Sequence, residues 1–188
     1  MSPAAPAHHF GDAAGLLAAV ATNAFDELTS SLEAGNRRGG TDPVTRLREQ
    51  GIGYVAFALR YPGRFGLMFR TGVVEKTEEM TRSGDAAFGR LEQAVRHLAG
   101  IPADQPLEAA QWRRLLSIWS VVHGFAHLAL SGQLDRFAPA GRESLLRTTL
   151  APLLDQFLAP FDPPATTAAP ARSKPGRKVK QAKQAASR

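Results

Sequence analysis

Apolar side chains recur every three or four residues between Leu107 and Ser131, along two adjacent lines of one helical surface. This spacing matches the period of about 3.6 residues of an α-helix, and two adjacent apolar lines leave little of the circumference for water. The segment is therefore predicted to be a helix that is buried over most of its circumference. The two lines consist of Trp112, Leu115, Trp119, Val122, Ala126 and Ala129, and of Leu116, Ser120, His123, His127 and Leu130.

The same helical period predicts the other elements of the chain. Asp42 followed by Pro43 is a typical helix start, with a capping side chain and a proline in the first turn. No stretch alternates apolar and polar residues with the period of a strand, and no internal repeat is present, so the predicted fold class is all-α. The other helices are expected from Asp12 to Gly35, from Pro43 until Pro62, over Pro62 to Arg70, from about Val74 to Leu98 and from about Gly141 to Leu158.

Three residues are predicted to disturb these helices. Gly51 and Gly53 lie inside the second helix and weaken it, because glycine has a low helix propensity. Pro152 lies inside the last helix, where it cannot donate a backbone hydrogen bond to Thr148, and we expect it to kink that helix.

The formal net charge of +6 comes from one end of the chain. Residues 172–188 hold seven basic and no acidic side chains, whereas the other 171 residues carry 16 basic and 17 acidic ones. From Pro160 onward the composition also shifts to Ala, Pro, Thr, Lys and Arg. We therefore predict a helical domain over residues 12–160 and a disordered basic tail over residues 161–188, which would attract polyanions or simply aid solubility.

Composition and hydropathy exclude several classes of protein. The absence of cysteine excludes disulfides, thiolate metal sites and cysteine nucleophiles. The most apolar stretch is interrupted by polar residues and is shorter than the roughly 20 residues that a membrane helix needs. No basic segment followed by an apolar run marks a secretory signal. We therefore expect a cytoplasmic protein that has no membrane partner.

An aromatic cluster with polar neighbours is the candidate small-molecule site. Such clusters most often form core, but aromatic walls with a few polar groups are also the usual composition of a ligand pocket. We expect them to converge on a cavity for a small apolar or aromatic ligand. The candidate ligand-binding residues are Tyr61, Phe65, Met68, Phe69, Trp119, His123 and His127.

The two histidines are four residues apart, a spacing that allows two imidazoles to reach one metal ion. No third ligand lies nearby in the sequence, so the pattern favours packed or pocket-lining histidines, and neither a metal nor another cofactor is predicted. His123 also has no carboxylate or nucleophile beside it in the sequence, which argues against catalysis and against an enzyme.

The last two long helices carry more apolar surface than one helix face needs. This surplus indicates either central helices of a bundle or a four-helix interface between two copies of the chain. The homodimer interpretation names Trp112, Leu116, Leu146, Leu150, Leu153 and Phe157 as interface residues.

Two separated motifs resemble the tetracycline repressor (TetR) family of bacterial transcription regulators. The segment from Gly53 to Phe69 contains Tyr-Val-x-Phe-Ala followed by Pro-x-x-Phe-x-x-Met-Phe, and the segment from Trp119 to Gly132 begins with Trp-x-x-x-His-Gly. Both are similar to the C-terminal domain of one branch of that family. The resemblance covers about residues 41–158 and implies a TetR-like C-terminal helical bundle.

The first residues are similar to a different part of TetR proteins. Residues 1–11 resemble the end of the DNA-recognition helix, and the following helix resembles the one that links the DNA-binding heads to the core. The resemblance therefore implies DNA contacts from Ser2, His8 and His9. The rest of the helix-turn-helix is missing from this sequence, so we expect DNA binding to be weak or absent.

The resemblance implies a ligand-responsive transcriptional regulator of the repressor type, which senses a small apolar or aromatic molecule and forms a homodimer. Two other hypotheses remain open from the residues alone. One is a helical ligand-binding or catalytic protein that uses the same cavity. The other is a non-specific nucleic-acid binder that acts through its basic tail.

Overall fold

A computed structural model describes residues 13–70, 72, 74, 76–137 and 141–159. Within these residues the chain forms six helices and no strand, which confirms the all-α fold class. Residues 1–12 and 160–188, with the predicted remnant of the recognition helix and the predicted tail, lie outside the described residues. The helices are α1 (Ala13–Arg38), α2 (Pro43–Arg60), α3 (Pro62–Met68), α4 (Glu78–Ala99), α5 (Ala109–Leu130) and α6, which runs from Arg142 to Leu158.

Side-chain caps define where several helices begin. The carboxylate of Asp42 accepts hydrogen bonds from the backbone N–H of Thr45 at 2.8 Å and from its hydroxyl at 2.6 Å. These bonds hold the pKa of Asp42 below its ordinary value. The Thr77 hydroxyl accepts from the backbone N–H of Met80 at 3.1 Å. For this reason α4 begins at Glu78, later than the apolar pattern predicts.

The closest helix crossing in the core is made by α1 and α2. A Cβ atom at Gly53 would lie 2.8 Å from the carbonyl oxygen of Ser31, and one at Gly35 would overlap the backbone of Glu49. The hydroxyl of Ser31 donates a hydrogen bond of 2.9 Å to the Gly53 carbonyl at the same crossing. Gly53 is therefore a packing requirement and not only the weak point that helix propensity indicates.

The interior has two apolar clusters joined by α2, α5 and α6. The larger cluster surrounds fully buried Val55 and Phe65 and includes Leu150 and Leu154. The smaller cluster joins α4 to α5. It consists of Leu47, Ala94, Val95, Leu107, Leu115, Ile118 and Leu158.

The last helix is interrupted as Pro152 predicts, and the interruption takes the form of a π-helical segment. α6 is α-helical over Arg142–Ser144, π-helical over Leu145–Leu150 and α-helical again over Ala151–Leu158. The backbone N–H of Ala151 donates to the carbonyl of Leu146, five residues earlier. Because proline has no N–H and clashes with the carbonyl four residues before it, the wider π turn accommodates Pro152 without ending the helix.

We expect Gly53→Ala to lower the free energy of unfolding by about 1–3 kcal/mol, since the new methyl group would clash with the Ser31 carbonyl. Gly89→Ala is the matched control, because nothing lies within 4 Å of its Cβ position in α4. That control should raise the free energy of unfolding by about 0.5–1 kcal/mol through helix propensity alone. Urea denaturation measures both, and a Gly53→Ala variant as stable as the parent chain would contradict the crossing.

Candidate functional site

The helices surround a partly open apolar cavity of about 90 Å³, called here the inner cavity. Five helices contribute to its wall, and Phe69, which follows α3, completes it. None of the lining side chains carries a formal charge. The lining residues are Phe25, Leu28 and Leu32 of α1, Leu47, Gln50, Gly51 and Tyr54 of α2, Phe69, Gly84, Ala87, Phe88 and Leu91 of α4, Ile118, Trp119 and Val122 of α5, and Leu154 and Leu158 of α6.

Gln50 is the polar exception in this wall. Its side chain is 4% exposed, and its Oε1 atom has no hydrogen-bond partner among the described residues. It lies on the same face of α2 as Leu47 and Tyr54, one helical turn from each, so the helix directs all three toward the cavity. A buried amide oxygen without a partner is uncommon in folded proteins and marks a place that needs an explanation.

Next to the inner cavity lies a cluster of rings that we call the aromatic–histidine cluster, formed by Tyr54, Phe65, Phe69, Trp119, His123 and His127. The Tyr54 hydroxyl and the Nδ1 atom of His123 are 2.8 Å apart, a hydrogen bond between α2 and α5. The ring centroids of Phe69 and His123 lie 4.6 Å apart, as do those of His123 and His127. Edge-to-face contacts of this kind fix the orientation of each ring.

Burial keeps both hydrogen-bonded groups in this cluster neutral near pH 7. It raises the pKa of Tyr54 well above its ordinary value, although a hydrogen bond with Trp119 acts in the opposite direction. Burial also lowers the pKa of His123, and the nearby His127 lowers it further. In the hydrogen bond between Tyr54 and His123, either the hydroxyl or the ring nitrogen can be the donor, depending on the tautomer of His123.

On its outer side the cluster borders a shallow surface depression, called here the outer cleft. His123 and His127 line it together with Phe69 and Arg70. Phe69 belongs to the walls of both spaces, so its ring separates the inner cavity from the outer cleft. The remaining wall of the cleft is formed by Pro62, Gly63, Gly66 and Leu67.

Comparison with protein families identifies the domain. The family model described as "Tetracyclin repressor-like, C-terminal domain" matches residues 47–153, which is more than half of the chain. The chain belongs to the TetR C-terminal domain family. The TetR resemblance of the two sequence motifs is thereby confirmed, and membership indicates a regulator-type protein.

One solved structure supports the same fold for the TetR domain. It is described as a protein with unknown function from Rhodococcus sp. RHA1 and is 27% identical, with a TM-score of 0.65. The match covers 84% of this chain and 77% of that chain. No curated protein matches the chain.

The predicted ligand-binding residues of the TetR domain divide between several places. Trp119 and Phe69 line the inner cavity, whereas His123 and His127 line the outer cleft. Met68 lines an adjoining groove, which shares Phe25, Phe69 and Gly84 with the inner cavity. Phe65 is completely buried within the core and Tyr61 packs on Phe57 with a centroid distance of 5.5 Å, so neither lines the inner cavity or the outer cleft.

Several cavity residues were not among those predicted. Leu28 and Leu32 lie in the predicted first helix, but neither these two residues nor Phe25 and Gln50 were predicted as ligand contacts. The sequence did contain one signal for Gln50. This glutamine lies one helical turn from Leu47 and from Tyr54, on a helix face that is otherwise apolar. The DNA-binding candidates Ser2, His8 and His9 lie outside the described residues.

The predicted interface residues of the TetR domain also separate into two groups. The side chains of Trp112, Leu116, Leu153 and Phe157 are 38–46% exposed, on α5 and α6. Leu146 is partly buried against the core. Leu150 is completely buried inside the chain, because the π-helical segment turns it inward, so it is a core residue and cannot meet a partner directly.

Two further features concern the described part of the chain. It holds no group of three or more His, Cys, Asp or Glu side chains that could bind a metal ion. None of its helices combines the length and apolar character needed to cross a membrane.

We expect the stability of the TetR domain to depend on pH through His123. Its folded-state pKa lies below the ordinary value of 6.5, so the unfolded chain binds more protons as the pH falls. The contribution of His123 to the free energy of unfolding is complete above the ordinary pKa. It is lost as the pH falls through the folded-state pKa. The groups around this ring are Tyr54, His127 and, across the outer cleft, Arg70.

His123→Gln should therefore lose less stability than the parent chain between about pH 7.5 and about pH 5, measured by urea denaturation. An NMR titration of the parent chain should place the pKa of His123 below 6.5. Equal losses of stability in both proteins would contradict the burial argument.

Proposed function

We propose that this chain is a ligand-responsive transcriptional regulator of the repressor type, and that its inner cavity binds a small apolar or aromatic molecule. The TetR family model supports regulation, dimerisation and small-molecule binding in general terms. The single observation that carries the proposal is that Phe25, Leu28 and Leu32 of α1 form part of the cavity wall. A molecule in the cavity would therefore touch α1 directly.

Contact with α1 gives ligand binding a route to DNA binding. The TetR resemblance implies that this helix carries the DNA-binding heads, so a ligand that favours one position of α1 also favours one position of the heads. A ligand can shift such an equilibrium only by as much as its affinity differs between the two positions. In members of the family that carry those heads, ligand and DNA would compete because they select different positions of this helix.

The aromatic–histidine cluster supports sensing more than catalysis. The hydrogen-bond partner of His123 is Tyr54, whose raised pKa keeps the hydroxyl protonated and makes it a poor proton donor near neutral pH. TetR-like proteins are also generally regulators without enzymatic activity. We therefore propose that the protein is not an enzyme. We also propose that it acts in the cytoplasm.

The proposed dimer uses the exposed apolar residues of α5 and α6. One hydrogen bond of 3.4 Å, from the Arg114 guanidinium to the Leu158 carbonyl, links the two helices. Leu116 on α5 and Leu153 on α6 are 46% and 38% exposed in the single chain. Pairing these helices with their copies would bury this surface in a four-helix interface.

We expect Ala87→Leu to weaken binding of toluene at least tenfold, because its larger side chain occupies part of the inner cavity. Ala86→Leu is the matched control, since Ala86 is exposed on the same helix. Isothermal titration calorimetry measures both, and circular dichroism checks that both variants fold. Toluene binding that is equal in Ala87→Leu and the parent chain would exclude the inner cavity as the site.

We expect Leu116→Asp to convert the dimer to a monomer, because a buried unpaired carboxylate at the interface is costly. Leu116 is exposed in the single chain, so the variant should keep its helix content. Leu16→Asp is the control, an equally drastic change at an exposed leucine of α1. Light scattering should give half the parent mass for Leu116→Asp only; a parent chain that is monomeric at micromolar concentration would refute the dimer.

A further inference from the structure

We infer that the inner cavity selects a neutral, single-ring or short-chain ligand that carries one hydrogen-bond donor. In this inference Gln50 Oε1 accepts the hydrogen bond from that donor. This inference rests on the proposed function, because it specifies which molecule the cavity senses. It depends on three properties of the cavity wall: its charge, its polar atoms and its volume.

The charge of the wall determines the charge of the ligand. None of the residues that line the inner cavity is Asp, Glu, Lys, Arg or His. A carboxylate or ammonium group placed there would lose its hydration without gaining a counter-charge, which is very unfavourable in an apolar site. Ligands that are ionised near pH 7 are therefore excluded.

The polar atoms of the wall determine the hydrogen bond. The side chains with polar atoms are Gln50, Tyr54 and Trp119. The Tyr54 hydroxyl already has a partner in His123 at 2.8 Å, and the Trp119 indole nitrogen can only donate, so neither group competes with Gln50 as a free acceptor. Gln50 lies in the wall and is only 4% exposed, and its Oε1 atom has no hydrogen-bond partner among the described residues. An O–H or N–H group on the ligand would satisfy it.

The volume limits the size of the ligand. A cavity of about 90 Å³ is well below the range of roughly 300–1,000 Å³ that is typical of sites for drug-sized molecules. An engineered apolar cavity of about 150 Å³ holds benzene, so a single ring is the upper size limit for this smaller space. A phenol or a short alcohol has the required size, neutrality and donor group.

Three single-ring probes separate the contributions to binding. Phenol carries a donor, toluene has a similar shape without one, and pyridine offers only an acceptor. We expect Gln50→Leu to weaken phenol binding at least tenfold relative to toluene binding, by calorimetry on the full chain. Comparing each probe across variants cancels the difference in hydration between the probes. Leu28→Met, which changes another cavity residue without changing polarity, should leave the phenol-to-toluene ratio of affinities unchanged.

The stability of the variants provides a test that does not depend on a ligand. Replacing an unpartnered buried amide with leucine removes a polar group that folding leaves unsatisfied, so Gln50→Leu should be at least as stable as the parent chain in urea. A clear loss of stability would mean that the Gln50 amide has a partner within the folded chain, and it would overturn the inference.

The binding outcomes separate this inference from the proposed function. An unchanged phenol-to-toluene ratio in Gln50→Leu, or a parent chain that prefers pyridine to phenol, would overturn the role of Gln50 while the cavity remains a binding site. If none of the three probes binds saturably to the parent chain, both the inference and the proposed cavity site are wrong.

Discussion

The close crossing of α1 and α2 determines the arrangement of the other helices. At Gly53 and Gly35 the two backbones approach so closely that neither position has space for a methyl group. α2 also packs against each of the other described helices, so its position relative to α1 fixes the frame to which α4, α5 and α6 attach. Beyond the crossing, Leu28 of α1 and Tyr54 of α2 stand on either side of the inner cavity.

Phe69 and the Tyr54–His123 hydrogen bond give this cavity a defined boundary. The Phe69 ring separates the inner cavity from the outer cleft, and the hydrogen bond ties α2 to α5 directly beside it. Tyr54 belongs both to the cavity wall and to the aromatic–histidine cluster, so an occupant of the cavity would press on a group that is hydrogen-bonded to α5. The site therefore contacts α1, through which DNA-binding heads would be moved, and α5, through which two copies would pair.

Helical periodicity was sufficient to predict the fold class, the six helices and, from Asp42 and Pro43, the start of α2. It could not predict the role of Gly53, because a helix propensity contains no information about which backbone passes beside it. Pro152 was correctly expected to disturb α6, but the π-helical form of the segment over Leu145–Leu150 was not predicted. Leu150, which was predicted as an interface residue, lies in that segment and is completely buried inside the single chain.

The candidate site was only partly accessible to sequence reasoning. Large aromatic residues such as Trp119 and Phe69 attract attention in a sequence, and both line the inner cavity. Gln50 does not, because a glutamine in an amphipathic helix usually faces water, and only the three-dimensional structure shows that its amide oxygen is buried without a partner. The most direct test of the account is an NMR measurement of contacts between bound phenol and the methyl groups of the chain. The account predicts intermolecular nuclear Overhauser effects from the phenol ring to Leu28 and Leu32 of α1; effects confined to Leu67 in the outer cleft would contradict it.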